Sequence, residues 1–89
     1  MPGSHAIEGL IDPKITRILR MFLRRKGELF HLQKISQEAK VPLTTTHALM
    51  KKLVALDFIA FMAVGKFKLY RLAGNKRTKE MERLLDHGN

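Results

Sequence analysis

The sequence lacks cysteine, long apolar runs and any recognisable catalytic motif. Without cysteine, the 89-residue chain has no disulfide, zinc–thiolate site or thiol switch. Its longest apolar run is the seven residues 58–64, whereas a membrane-spanning helix needs about 20. The four histidines are scattered, with no pair at i and i+4, so we predict no metal site and no cofactor. No glycine-rich phosphate loop, nucleophile elbow or carboxylate pair is present, and we predict that the protein is not an enzyme.

Acidic residues are missing from two basic stretches. Residues 14–26 contain six Lys or Arg and no acid, and residues 58–72 contain three and no acid. The formal net charge is +9, from 17 basic and 8 acidic residues. This excess predicts a polyanionic partner, with nucleic acid favoured over an acidic membrane surface. We therefore expect a cytoplasmic, nucleoid-associated protein, although a basic protein without such a partner is the alternative.

The chain length predicts one small domain. We expect a flexible N-terminal tail over residues 1–11, because Pro2, Gly3, Ser4 and Gly9 interrupt any periodicity there. Apolar positions then recur from residue 12 to residue 87, which predicts a single folded domain over that range.

Three helices are predicted in the first two thirds of the chain. Asp12 is a good N-cap, Pro13 suits the first helical position, and Gly27 ends the first helix after three basic residues. Its apolar stripe is Ile15, Ile18, Leu19, Phe22 and Leu23. A short strand is predicted over 29–32. The second helix has Leu32, Ile35 and Ala39 on its buried side, and the third spans residues 43–56 with Thr46, Leu49, Met50 and Leu53 facing inwards.

A β-hairpin and a fourth helix follow. Residues 58–64 and 67–72 are rich in aromatic and aliphatic side chains and flank Gly65, which predicts a hairpin. The first arm is apolar on both faces, so we expect it to be covered on both sides or to meet a partner with one of them. Residues 76–87 are predicted to form a last helix with Met81, Leu84 and Leu85 on its apolar side.

The predicted order and several individual positions resemble the winged helix-turn-helix of MarR-like and ArsR-like regulators. The matching positions are Leu32, Ile35, Ala39, Val41, Thr45, Met50, Lys51, Lys52, Leu53, Asp57, Phe58 and Ile59, with Tyr70, Arg71 and Leu72 in the second hairpin strand. The chain departs from this family at Pro42, where a capping Ser is usual, and at Asp57, where Gly is usual. The resemblance implies an α+β, mostly helical fold: helix, short strand, helix, helix, β-hairpin wing and C-terminal helix. We expect Asp57 to adopt the left-handed turn of that Gly.

The resemblance also implies which residues contact DNA. The outer face of the third helix, the reader of the major groove in that family, carries Thr44, Thr45, His47, Ala48, Lys51 and Lys52. These side chain types can bond to bases, contact a thymine methyl group or reach phosphates. In the wing, 58–72, we expect Lys66, Lys68 and Arg71 to contact the backbone. Alternatively, the residues on the third helix form an ordinary solvated face. The basic residues of the wing would then serve only to protect an edge strand from aggregation.

The predicted function is sequence-specific binding of double-stranded DNA by a small transcriptional regulator, with any small-molecule effector unknown. A homodimer would double the phosphate contacts and read a two-fold operator. Its predicted interface residues are Leu10, Ile11, Met81, Leu84 and Leu85. The alternative function is a winged-helix protein–protein interaction module within a larger nucleic-acid-associated assembly, which the apolar first arm of the wing favours.

Overall fold

The computed structural model describes residues 12–87, and only the backbone of residues 86 and 87. It contains helices α1 (Pro13–Arg24), α2 (Leu32–Ala39) and α3 (Leu43–Ala55), strands β1 (Ile59–Val64) and β2 (Phe67–Leu72), and helix α4 (Lys76–His87). The predicted tail, 1–11, and the predicted interface residues Leu10 and Ile11 lie outside the described residues. The single domain over 12–87 stays a prediction.

Helix α1 begins as the sequence predicts and ends earlier. The carboxylate of Asp12 accepts the backbone N–H of Lys14 at 2.8 Å, so it caps the helix. The helix ends at Arg24, and the turn that follows reaches Gly27, whose φ is 86°. Gly27 therefore serves the turn after the helix, since only glycine adopts this conformation without a steric cost. The predicted stripe faces the core: Ile15, Ile18, Leu19 and Phe22 are buried and Leu23 is half-buried.

The strand predicted over 29–32 is reduced to a single bridge residue. Phe30 donates its N–H to the carbonyl of Tyr70 at 2.8 Å and accepts the N–H of Tyr70 at 2.9 Å. Leu32 already begins α2, so the chain has no room for a longer ladder. The ring of Phe30 packs edge-on against Phe22, with centroids 5.4 Å apart. This contact joins the base of the wing to α1.

The turn between α2 and α3 is closed by local hydrogen bonds. Lys40 takes a left-handed conformation with φ 57°, and the N–H of Val41 donates to the carbonyl of Ser36 at 3.1 Å. This is the Schellman pattern of a helix C-terminus. The hydroxyls of Ser36 and Thr46 both donate to the carbonyl of Val41. The turn is therefore held by one side chain from α2 and one from α3.

The hairpin forms where it is predicted. Strands β1 and β2 are antiparallel, with Val64 opposite Phe67 and Ile59 opposite Leu72. Only Gly65 of the two turn residues has a positive φ, 60°, which is the pattern of a type II′ turn. Before β1, Asp57 has φ 65°, so it adopts the left-handed conformation expected there.

Helix α4 packs against α1 and completes the core. Asn75 is its N-cap: the side-chain oxygen accepts the N–H of Thr78 at 3.0 Å, and the hydroxyl of Thr78 accepts the N–H of Asn75 at 3.2 Å. Among residues 12–87, no helix combines the length and hydropathy needed to cross a bilayer.

Candidate nucleic-acid interface

The outer face of α3 is polar or small, and its inner face is buried. Thr46, Met50 and Leu53 are at most 1% exposed and fix the rotation of the helix. Of the predicted reader residues, Thr44, His47, Ala48, Lys51 and Lys52 are exposed, and Thr45 is half-buried. The predicted inner and outer faces of this helix therefore agree with the observed burial.

An open groove separates α3 from the wing. It has a volume of about 520 Å³ and is lined by Leu32, His47, Lys51, Val54, Phe61, Lys68 and Tyr70. His47 and Lys51 come from the helix, whereas Lys68 comes from β2. The groove thus brings one wing lysine to the same surface as the helix residues, and none of the described residues that line it is acidic.

The floor of this groove is apolar and adds no negative charge. Burial raises the pKa of the Tyr70 hydroxyl above its ordinary value of 10.0, because desolvation disfavours the phenolate. Tyr70 is therefore neutral at physiological pH. The lysines at the rim set the sign of the local potential, which attracts a polyanion.

The three predicted wing residues do not share one surface. Side chains alternate between the two faces of a strand, so Lys68 lies on the face of Tyr70, towards α3. Arg71 lies on the other face and borders a separate pocket formed with Lys26, Lys79 and Glu82. Lys66 is exposed at the tip of the turn. The structure brings Lys68 to the groove and leaves Arg71 behind the wing, because the sequence spacing of three puts them on opposite faces.

The acidic partners of the basic residues lie away from this groove. Glu38 pairs with Arg25 at 2.8 Å and Lys34 at 3.3 Å, and Glu82 pairs with Lys26 at 2.8 Å. Within the described part of the chain, no ion pair involves the lysines of α3 or of the wing. Their ammonium groups are available for an external anion.

Several polar side chains that hold this surface in place were not predicted. Arg17 belongs to the basic stretch 14–26, and its Nε donates to the carbonyl of Ala39 at 2.9 Å. Beyond α3, Arg77 donates to the carbonyl of Leu56 at 3.1 Å, and the Asn75 amide donates to the carbonyl of Asp57 at 2.8 Å. These bonds connect residues distant in sequence, so no local pattern indicates them.

The predicted dimer residues of α4 differ in accessibility. Met81 is 2% exposed and belongs to the core of a single chain, whereas Leu84 is 60% exposed. Leu85 is half-buried. Of the three predicted interface residues on this helix, Leu84 and, in part, Leu85 are therefore accessible to a partner.

A family model decides the classification. The IclR helix-turn-helix domain matches residues 14–61, from α1 through α3 into β1. The chain belongs to this family. The match covers the helix-turn-helix and ends within the first wing strand. No curated protein sequence matches the chain.

Solved structures share the fold of this IclR-type domain. The transcriptional repressor BigR from Xylella fastidiosa is 14% identical, with a TM-score of 0.76 over 94% of this chain and 80% of its own. HlyU from Vibrio cholerae is 13% identical, with a TM-score of 0.72 over 98% and 97%. The homodimeric winged helix-turn-helix DNA-binding domain Mb0332 from Mycobacterium bovis, a possible ArsR-family regulator, is 19% identical, with a TM-score of 0.67 over 99% and 86%.

The family match and these structures confirm the predicted winged helix-turn-helix fold. The resemblance to MarR-like and ArsR-like regulators holds at the level of the fold, and the IclR helix-turn-helix is the family. The chain is a winged helix-turn-helix DNA-binding domain of the kind found in transcriptional regulators.

Proposed function

We propose that the chain regulates transcription by inserting α3 into the major groove of a specific DNA site while the wing holds the adjacent backbone. The observation that carries this proposal is the groove that joins His47 and Lys51 of the helix with Lys68 of the wing. A basic surface made by two elements can follow a phosphate backbone along the edge of the groove that the helix enters.

The residues of α3 divide into two roles. Thr44, Thr45, His47 and Ala48 occupy the first two turns and supply hydroxyl, imidazole and methyl groups, which suit base edges. Lys51 and Lys52 lie a turn further on, and we assign them to phosphates. The N-cap of this helix, Pro42, makes no side-chain hydrogen bond. The first backbone N–H groups of α3 are therefore available to a phosphate as well.

The wing residues also divide by position. Lys66 at the tip and Lys68 on the face towards α3 are assigned to the DNA backbone. Arg71 lies on the opposite face, so we assign it a contribution to the long-range attraction of DNA and no direct contact in the same groove.

A homodimer is the proposed binding unit. The relative Mb0332 is described as homodimeric, and Leu84 leaves an exposed apolar side chain on α4. We propose that Leu84 and Leu85, together with Leu10 and Ile11, form the contact between two copies. In this proposal the protein works in the cytoplasm at the nucleoid, by binding alone and without catalysis.

The test is fluorescence anisotropy of labelled duplex DNA at several salt concentrations. A Lys51→Ala/Lys68→Ala variant is compared with Lys14→Ala/Lys79→Ala, which removes the same charge from exposed positions outside the groove. Each phosphate contact contributes about 0.9 to the slope of log affinity against log salt, so the first variant should lose affinity and a slope of about 2. Equal losses in both variants would contradict the proposed groove.

The second candidate function is docking of another protein on the wing. The exposed apolar side chains Met62, Val64 and Phe67 favour it, with exposures of 39%, 51% and 60%. Binding through these side chains would be insensitive to salt, whereas phosphate binding weakens steeply as salt rises. The same salt series therefore separates the two functions.

A further inference from the structure

Strand β1 has an open backbone edge. Tyr70 exchanges both of its backbone hydrogen bonds with Phe30, so its N–H and C=O point away from β1. Phe61, the partner of Tyr70 in the hairpin, is therefore in a non-hydrogen-bonded pair, and its own N–H and C=O point away from β2. The same alternation directs the N–H and C=O of Ala63 to this edge. Among the described residues, only those of β2 pair with β1.

This edge carries none of the usual protection. All six residues of β1 are uncharged and none is proline, whereas folded proteins usually guard a free edge with lysine, proline or a bulge. The charged residues of the hairpin are Lys66 in the turn and Lys68 and Arg71 on β2. Phe61, Met62 and Val64 are 46%, 39% and 51% exposed. An extended, uncharged segment with free backbone groups is suited to receive another strand.

We propose that β1 of a second copy of this chain occupies the edge, antiparallel and centred on Met62. The direction of the free groups restricts the register. In β1, only residues 61 and 63 are both exposed and turned outwards. The register that uses both residues of each copy pairs Phe61 of one copy with Ala63 of the other. This register places the two Met62 residues opposite each other and gives four backbone hydrogen bonds, two on each side of the centre.

The same register explains why a copy of this chain is the occupant. In an antiparallel pair, directly opposed side chains lie on one face of the sheet, so Met62 adjoins Met62 of the partner subunit. The face with Met62, Val64 and Phe67 then continues across both copies. The opposite face carries Lys68 and adjoins α3 in each copy, so both DNA-binding grooves lie on one side of the four-stranded sheet. Residues 58–64 are also the longest apolar run of the sequence, so each copy offers the other an uncharged strand that matches its own uncharged edge.

Net charge governs when this pairing occurs. Two copies each carrying a charge of +9 repel one another. Salt weakens this repulsion, because the screening length is about 10 Å at 0.1 M ionic strength and shortens as salt rises. Association through β1 should therefore strengthen as salt rises, whereas DNA binding weakens. The pairing uses the backbone of β1 and none of the side chains assigned to DNA, so it can be tested on the free protein. Its failure is therefore distinguishable from failure of the proposed DNA binding.

The experiment is oxidative cross-linking of single-cysteine variants, since the chain has no native cysteine. Non-hydrogen-bonded partners have Cα atoms about 4.5 Å apart, within the range that a disulfide spans, about 4.4 to 6.8 Å. Met62→Cys should form a disulfide-linked dimer at high salt without DNA. Phe67→Cys is more exposed but lies on β2 and should form no disulfide-linked dimer. Leu84→Cys reports separately on the contact proposed for α4.

A second test removes a backbone hydrogen-bond donor from the edge of β1. Ala63→Pro removes the outward N–H that the pairing requires and should abolish cross-linking of Met62→Cys, while circular dichroism shows whether the hairpin remains folded. If that variant unfolds, Ala63→Lys replaces it and should act through charge repulsion. Cross-linking that is equal in Met62→Cys and Phe67→Cys, or that survives both Ala63 variants in a folded protein, would overturn the proposal.

Discussion

Arg17 of α1 binds the last carbonyl of α2: its Nε donates to the oxygen of Ala39 over 2.9 Å. A second, longer contact of 3.5 Å reaches the carbonyl of Lys40. The C-terminal end of a helix carries partial negative charge and unsatisfied carbonyl groups, so a guanidinium group is well suited to this position. The bond ties the first helix to the turn that sets the direction of α3.

Arg17→Met should therefore destabilise the protein. A hydrogen bond from a charged group contributes about 1.5 to 3 kcal/mol, and because Arg17 is partly solvated we expect a loss of about 1 to 2 kcal/mol in the free energy of unfolding. Urea denaturation followed by circular dichroism measures it. Lys14→Met removes the same charge from the same helix and should cost much less. Equal losses would mean that charge, and not the bond to Ala39, matters.

Lys40→Gly should stabilise the protein. The left-handed φ of 57° at Lys40 costs an L-residue roughly 1 to 2 kcal/mol, which glycine avoids, although glycine gains unfolded-state entropy of roughly 0.5 to 1 kcal/mol. The net gain should be about 0.5 to 1 kcal/mol in the free energy of unfolding. Asp57→Gly, at φ 65°, should gain less because aspartate tolerates this region better. A neutral Lys40→Gly in urea denaturation would show that the conformation is not strained.

Local signals were enough to predict most of the elements. Asp12 and Pro13 indicated the start of α1, Pro42 separated α2 from α3, and Gly65 marked the hairpin turn; each effect acts within a few residues. The strand predicted over 29–32 was too long. Within residues 12–87 its pairing partner is Tyr70, which lies 40 residues further along the chain than Phe30 and forms a single bridge with it. Pairing of that kind depends on tertiary structure.

Helical periodicity was enough to predict the part of the site that lies on α3, but not the arrangement of α3 and the wing. The 3.6-residue repeat separates Met50 from Lys51 without knowledge of the fold. It says nothing about the distance between Lys51 and Lys68, which the packing of the hairpin on α3 determines. For Arg71, the two-residue alternation of side chains along β2 predicts the face opposite to Lys68 from the sequence alone.

Glu38 should make stability depend on pH in the acid range. Desolvation acts to raise the pKa of this carboxyl, but hydrogen bonds from Lys34 and Arg25 outweigh it and lower the pKa below its ordinary value of 4.5. A lowered folded-state pKa gives stability that is present above the unfolded-state value and is lost as pH falls through the folded-state value. Wild type should therefore lose more stability than Glu38→Gln below about pH 4.5. The urea midpoint, measured at a series of pH values, tests this, and parallel profiles would contradict it.

His47 and Lys68 should affect DNA binding in different ways, although both line the same groove. His47 lies on the helix assigned to base edges, and each good base contact discriminates by about 1 to 3 kcal/mol. His47→Ala should therefore reduce affinity for a selected operator while leaving binding to random duplex almost unchanged. Lys68→Ala should weaken both by a similar factor and reduce the salt slope by about 1, because a phosphate contact does not read sequence. Operator selection from a random pool, followed by anisotropy of each variant on operator and random duplex, measures both quantities. If His47→Ala weakens the two duplexes equally, His47 contacts the backbone, and sequence reading lies with the threonines at the start of α3.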